Sequence, residues 1–469
     1  MISELRKEIV RLLSKDNNTE SITFVGSLNH KKLNEVSDID IVVICNKLSE
    51  SYFKKQINLL SKLNKKLYIS QFEKLYINTT FGPLKFNDGK TLVLHLMIYD
   101  IESHKNHVVD SPFTTLDWAL YESSYGKSLK HIYPVFNIQL DDFRLARRSI
   151  NDYKKEFESS KLSYREYNFS SNYKYKQEKK FKKIDNIEMI EFINHILKFS
   201  LFNLCKFKSN ENKLFNHDDV FKILPEFLKF KSLLQKLDRT INDLNTLNLQ
   251  EVKREFVKFI IFFDNYLKGI ENNYEKKMLY FIRHSETRLN DGTFLGINRN
   301  PDIKNKLTSE KIEEFKNLNI NDVFSSPLKR ARSTALQLTD KIYESKLIQE
   351  INYGKAEGMD LDQFYREYPH IKSAWLENKD PRFPLGENLR DVEKRLIQFL
   401  KLKKSKAPYI AFTHQVVIRV AIAKSLGLSL SQSYILKIDH EFPYKFYFDG
   451  KNIRCNIQRK HLYKIINYV

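Results

Sequence analysis

Cysteine is scarce. Three residues in 469, Cys45, Cys205 and Cys455, lie far apart with no C-x-x-C spacing, which excludes a disulfide framework and a thiolate zinc site and predicts a reducing compartment. Glycine and proline are also few, at 12 and 11. Neither G-x-x-x-x-G-K-[ST] nor G-x-G-x-x-G occurs, so a P-loop or a dinucleotide-binding turn has no residues to build it. Long apolar runs are missing too: 92–99 and 259–263 fall far short of the roughly 20 residues that cross a bilayer. The opening MISELRKEIVRLL mixes charge with Leu and Ile at helical spacing, unlike the apolar core of a secretory signal. Together these absences predict a cytoplasmic protein with no membrane partner. Acidic residues fall short as well, 58 against 79 Lys and Arg for a net charge of +21. Such an excess suits nucleotides, phosphorylated small molecules or nucleic acid. A chain rich in Lys, Asn and Ile also acquires it by composition, so charge does not choose among them.

What is present is a folded composition, 42% hydrophobic and 13% aromatic with 25 Tyr and 34 Phe, in a chain longer than one core usually grows. Residues 1–112 alternate short β-branched runs (ITFVG at 22–26, IDIVVI at 39–44, TLVLHLMIY at 91–99) with helical stretches, which predicts an α/β domain. Across 113–270 the strand signals fade and apolar residues recur every three or four positions, as in IEMIEFINHILKFSLFNL, predicting a mostly helical domain. Inside it, 151–184 is polar and rich in Tyr and Lys, and is expected as a solvated loop or, alternatively, a basic substrate-facing segment. The polar stretch ENNYEKK at 271–277 marks the main boundary. Residues 278–469 again alternate strands (MLYFI, VFSS, YIAFTH) with helices, a second α/β domain.

Two constellations carry chemistry. In the first, Gly26-Ser27 ends the strand ITFV, and Asp38 and Asp40 open the strand IDIVVI ten residues later. Side chains two apart in a strand share a face, so the two carboxylates project together while Ile39 and Ile41 turn to the core. Paired oxygen ligands suit Mg²⁺ bridging to phosphates, and Gly26 with Ser27 offers close approach to a phosphate. This G-S-x10-D-x-D arrangement resembles the polymerase-beta-like nucleotidyltransferase superfamily, over roughly 5–110. The resemblance implies a mixed sheet with a helical companion domain, Mg²⁺ at Asp38 and Asp40, and transfer of a nucleoside monophosphate from an NTP. The family's third carboxylate is replaced here by His95, with Asp100 at the strand's end.

The second constellation begins with Arg283-His284-Ser285-Glu286-Thr287 and Asn290, and continues through Ser326-Pro327-Leu328-Lys329-Arg330, Glu350-x-x-x-Gly354-x-x-Glu357-Gly358, Gly386-Glu387-Asn388 and Thr413-His414. Strand ends of an open α/β sheet converge on one crevice, so Arg283, His284 and His414 can meet there. An imidazole nucleophile, cations for the phosphoryl oxygens and a carboxylic acid for the leaving group make a phosphoryl-transfer site. These motifs resemble the histidine phosphatase superfamily, in its phosphoglycerate-mutase-like branch, over about 278–469. The resemblance implies a three-layer α/β/α fold, with His284 as nucleophile and Arg283, Arg330, Asn290 and His414 on the phosphate. Glu350 is the proton donor in that scheme, Glu357 is held in reserve, and no cofactor is needed. Ser285 and Gln415 replace glycines of the family pattern.

The chain is therefore expected to be a bifunctional enzyme, a phosphomonoesterase fused to a Mg²⁺-dependent nucleotidyltransferase, taking an NTP and a phosphorylated small molecule. Two alternatives stand beside it: a phosphatase with a non-catalytic N-terminal module, and a nucleic-acid end-processing protein with the basic stretch near 164–183 on RNA.

Overall fold

The computed structural model describes residues 2–26, 38–68, 70–82, 90–169, 175–238 and 247–466. The chain divides into two units, Met1–Ile138 with Asp142–Phe263, and Gln139–Asp141 with Asp264–Val469. In the first unit, β1 (Thr19–Val25), β2 (Ile39–Cys45), β3 (Lys74–Asn78), β4 (Thr91–Asp100) and β5 (Tyr125–Gly126) form a sheet of order β3-β4-β2-β1-β5. β2, β3 and β4 are parallel, whereas β1 runs antiparallel to β2 and β5, which gives the expected mixed sheet. Ile39, Ile41 and Val43 enter a core with Leu5, Ile9 and Leu12 of the helix Ile2–Leu13, and Val42 and Ile44 enter a second with Met97, Tyr99 and Trp118. Each fully buried side chain of this kind contributes about 1.5–3 kcal/mol. With both faces covered, β2 is apolar throughout except at Asp40, half-buried at the strand's beginning.

Helices follow the sheet. Asn186–Ser209 opens on a reciprocal cap between Asp185 and Glu188 and buries Phe192, Ile196 and Leu204. Leu249–Glu275 runs through most of the polar stretch 271–277 that marks the expected boundary. The solvated loop expected over 151–184 is corrected: the helix Ile150–Ser159 leads into an antiparallel hairpin of β6 (Lys161–Phe169) and β7 (Tyr175–Lys183). Lysines on the outer face mask the alternation, but Tyr167 packs against Phe53 and Phe81, and Arg165 exchanges backbone hydrogen bonds with Phe81 at 2.8 Å. Aromatic residues with a surface to pack on favour a strand over a loop.

The second unit holds β8 (Met278–Arg283), β9 (Asp322–Ser325), β10 (Tyr343–Glu344), β11 (Tyr409–Thr413), β12 (Pro443–Phe448) and β13 (Ile453–Cys455), in the order β10-β9-β11-β8-β12-β13. β10, β9, β11 and β8 are parallel, and β12 and β13 form an antiparallel edge. Ile282 and Phe412 pack with Phe315 and Ala335 on one face, and Phe281, Phe324 and Tyr409 surround Phe399 on the other, so helices cover both sides of an α/β/α sandwich. Arg283 lies opposite Thr413 in the register, which sets His284 and His414 side by side just past two parallel strand ends.

Candidate functional site

The C-terminal site is assembled at those strand ends. His284 N donates to Thr413 O at 3.1 Å, and the two imidazole centroids are 5.1 Å apart. His284 is buried, and its Nδ1 lies 2.7 Å from Ser285 O. A carbonyl can only accept, so Nδ1 carries the proton and Nε2 keeps its lone pair. Arg330, fully buried, donates from Nε to that Nε2 at 3.1 Å and is anchored through its other nitrogens to Gly296 O and Arg299 O. Burial, then the charges of Arg330 and Arg283, hold His284 well below the usual imidazole range. It is therefore neutral and nucleophilic at physiological pH.

Around it lie donors without protein partners. Arg283 donates to Ile438 O at 2.7 Å, but its buried Nε has no partner. Burial pushes this guanidinium down to about 10, still cationic at neutral pH. His414 Nε2 is 2.8 Å from Ser326 Oγ, and its Nδ1 is buried and unpartnered. His414 also stands at the N-cap position of the helix Gln415–Leu426, whose N-terminal N–H groups add partial positive charge. Ser285 Oγ is buried without a hydrogen-bond partner, next in the chain to His284.

The remaining predicted residues separate by what they touch. Glu350 is buried, its Oε1 accepting from Ile351 N at 2.9 Å, and its charge acts on both Arg283 and Arg330. Glu357 is engaged elsewhere, accepting from the backbone N–H groups of Ile297, Asn298 and Arg299 at 2.9–3.1 Å. A Cβ on Gly296, whose φ is +63°, would stand 2.1 Å from that carboxylate. Asn290 is exposed, and its Oδ1 accepts from Thr287 N at 2.6 Å and from Thr287 Oγ1 at 3.0 Å, which holds the loop after His284.

Two residues with no sequence signal join the site. Arg395 donates to Leu347 O, Gln349 O and Glu350 O at 2.7–3.1 Å and pairs with Glu387, so it fixes the segment that carries Glu350. His440 Nδ1 bonds His284 O, and burial first, with Arg283 second, pushes it down to about 4. The Gly386-Glu387-Asn388 motif pointed at the loop, but not at the arginine eight residues on.

In the N-terminal unit, Asp38, Asp40 and His95 bring their ligand atoms within 4.8 Å of one another. Asp40 and His95 are register partners in β2 and β4, and His95 Nδ1 lies 2.7 Å from Asp40 Oδ1 while Nε2 lies 2.7 Å from Thr80 O. Burial opposes charge on His95, but the Asp40 hydrogen bond and charge outweigh it and raise its pKa above the ordinary imidazole value. Both ring nitrogens are thus used as donors, which suits His95 to orienting Asp40. The two carboxylates are the oxygen donors that fit Mg²⁺. Gly26, at φ +74°, sits so close that a Cβ would be 2.5 Å from Asp40 Oδ2. Ser27 lies outside the described residues.

Comparison with known proteins agrees with this division. Residues 279–456 match the family model of the histidine phosphatase superfamily (branch 1), and residues 2–102 match that of the nucleotidyltransferase domain. Each match covers less than half of the chain, and the two do not overlap. It is similar to phosphoserine phosphatase 1 of Hydrogenobacter thermophilus, at 27% identity over 175 residues, 34% of this chain and 82% of that protein. It is also similar to 6-phosphofructo-2-kinase/fructose-2,6-bisphosphatase 4 of Homo sapiens, at 26% over 223 residues, covering 44% of this chain and less than half, 45%, of that protein. Among solved structures, a phosphoserine phosphatase from Entamoeba histolytica matches at 20% identity with a TM-score of 0.34, over 39% of this chain and 98% of that one. No helix among the described residues is long and apolar enough to cross a membrane.

Proposed function

We propose that the chain is bifunctional, with a C-terminal phosphomonoesterase and an N-terminal Mg²⁺-dependent nucleotidyltransferase. The observation that carries the first activity is the His284 tautomer: Nδ1 is spent on Ser285 O, and Nε2 faces Arg330 beside the unpartnered Arg283 Nε and His414 Nδ1. Nε2 attacks phosphorus in line, the bond to the leaving oxygen breaks, and Glu350 protonates the departing alkoxide. Water then attacks the phosphohistidine and returns a proton to Glu350, releasing inorganic phosphate. The arginines neutralise the equatorial oxygens throughout, and His414 donates a hydrogen bond to them. A small phosphomonoester is the substrate class, in keeping with the names of the phosphatase relatives.

In the N-terminal unit, Asp38 and Asp40 would hold Mg²⁺, which supplies positive charge to the phosphates of the NTP. Asp40 is oriented for this by His95, and Gly26 leaves room for the α-phosphate to approach. The acceptor then attacks the α-phosphorus and pyrophosphate leaves.

Two variants test the pair of activities. His284→Ala should abolish p-nitrophenyl phosphate hydrolysis measured in excess chelator, and quenched wild type should carry acid-labile phosphate. Asp40→Asn should abolish Mg²⁺-dependent pyrophosphate release from NTPs and leave the phosphatase intact. Full hydrolysis by His284→Ala refutes the first assignment, and unchanged pyrophosphate release by Asp40→Asn refutes the second.

A further inference from the structure

A cavity of about 730 Å³ opens within the first unit over Asp40 and His95, between the sheet and the helices that follow it. Its wall combines aromatic faces, among them Phe81, Tyr99 and Trp118, with an excess of cations, Arg147, Arg148, Arg165, Lys198 and Lys206. Three of these charges are already matched: Arg147 pairs with Asp110 at 2.7 Å, Lys198 with Asp238, and Lys206 with Asp117. Among the described residues neither the Arg148 nor the Arg165 guanidinium pairs with a carboxylate, although the Arg148 backbone N–H donates to Asp152 Oδ2 at 3.2 Å. Arg148 has a buried terminal nitrogen with no hydrogen-bond partner, and so does Arg165 at its Nε. Burial, and then the charge of Arg147, hold the Arg165 guanidinium below its ordinary value. Like charges crowded in a partly desolvated wall are unfavourable unless an anion joins them.

The arginines are also built in place. Arg165 sits on β6 where its backbone bridges to Phe81, and Arg148 adopts φ +57° and lies over the Tyr153 ring with its guanidinium carbon 5.4 Å from the ring centre. All three arginines line a second cavity of about 950 Å³ walled by the hairpin, so the cluster is reached from two sides. A left-handed backbone at a non-glycine residue is uncommon and costs free energy, and here it aims a cation at the cavity.

We propose that this cavity binds the acceptor of the transfer reaction through a phosphate or like oxyanion held between Arg148 and Arg165, with Arg147 beside them and the rest of the molecule against the aromatic wall. The proposal rests on the transferase reading of this unit for the word acceptor, and on the cavity alone for the oxyanion. Forked guanidinium donors match phosphate oxygens in pairs. A phosphorylated acceptor would also carry the chemical group that the C-terminal unit is proposed to remove, so both units would act on phosphomonoesters.

The test uses the full chain carrying His284→Ala, to prevent hydrolysis, and Trp375→Phe, which leaves Trp118 as the sole tryptophan of the two. Phenyl phosphate is titrated by the fluorescence of Trp118, which lines this cavity and not the C-terminal site, and a non-hydrolysable ATP analogue with Mg²⁺ is titrated separately. Arg148→Ala and Arg165→Ala should each weaken phenyl phosphate about tenfold or more, with Arg→Lys at either position intermediate and circular dichroism unchanged. The ATP analogue should bind the variants as it binds the parent. Asp40→Asn should keep phenyl phosphate binding. Unaltered phenyl phosphate affinity in the Lys and Ala variants, or no binding by the parent, overturns the site. Loss of the ATP analogue instead assigns the arginines to the nucleotide's own phosphates and overturns the acceptor assignment. Phenyl phosphate binding that depends on the arginines, in a protein that releases no pyrophosphate from any NTP, leaves the oxyanion site standing and removes the transferase reading.

Discussion

At the scale of single residues, the C-terminal site depends on which atom each side chain commits. His284 Nδ1 is tied to a carbonyl, so Nε2 is the nitrogen left to react, and Glu357 is tied to three amides, which leaves Glu350 as the proposed acid beside the arginines. Glu350 is held through its own backbone by Arg395, which reaches the carbonyl groups of Leu347, Gln349 and Glu350 within 3.1 Å. Arg395 is therefore a positioning residue. Arg395→Lys keeps the charge but cannot span the same carbonyls, and a misplaced acid matters only when the leaving group needs its proton. We expect alkyl phosphate turnover to fall by up to about 10²-fold, with p-nitrophenyl phosphate hydrolysis little changed. An equal loss with both substrates would show that Arg395 supports the fold rather than the acid.

At the scale of elements, the β6–β7 hairpin is the part whose placement local pattern does not reveal. Its dock on the sheet centres on Tyr167, whose hydroxyl donates to Ile98 O and accepts from Ile98 N at 3.0 Å while the ring meets Phe53 and Phe81. Burial raises the Tyr167 pKa well above the ordinary phenol value, so it stays a neutral hydroxyl. Tyr167→Phe removes the hydroxyl and leaves the ring. Because the Ile98 groups then lose a buried partner, stability should fall by about 1–3 kcal/mol, read as a lower urea midpoint with an unchanged slope. A midpoint equal to wild type would mean that the aromatic contacts alone hold the hairpin.

At the scale of the whole molecule, both units bury neutral histidines. His104 and His440 are pushed down to about 4 by burial, and His107, His284 and His414 lie well below the ordinary value of about 6.5. Above that value folded and unfolded states are both neutral at these sites and stability is level. Below it the unfolded chain takes up protons that the folded one refuses, so stability falls as pH drops from about 6.5 through about 4. His95 has the opposite sign: its raised pKa contributes stability in acid that is lost as pH rises through the folded value, and it offsets only part of the trend. Melting temperatures from pH 8 to pH 4.5 should therefore decline below about pH 6.5. A melting temperature that is flat or rising toward acid would show that these histidines are not neutral in the folded state.

Much of this was legible before any coordinates. Strand runs ending in Gly26, Arg283 and Thr413, and the residues beside them, are local patterns, because the side-chain period of a strand and the placement of motifs at its end are properties of a few consecutive residues. The alternation of strands and helices in both units follows from them, and the mixed N-terminal sheet and the α/β/α sandwich are what the two family resemblances implied. Other features depended on pairs far apart in the chain. Asp40 meets His95 across 55 positions and His440 reaches His284 O across 156. Arg165 joins Arg148 only because the hairpin docks on the sheet through Phe81 and Tyr167. Which nitrogen of His284 is free, which glutamate is spent on backbone amides and which arginines lack a partner are questions of hydrogen-bond satisfaction in a buried space. Local periodicity says which way a side chain faces, but the partner it finds there is set by how distant segments pack, so only the tertiary structure could supply it.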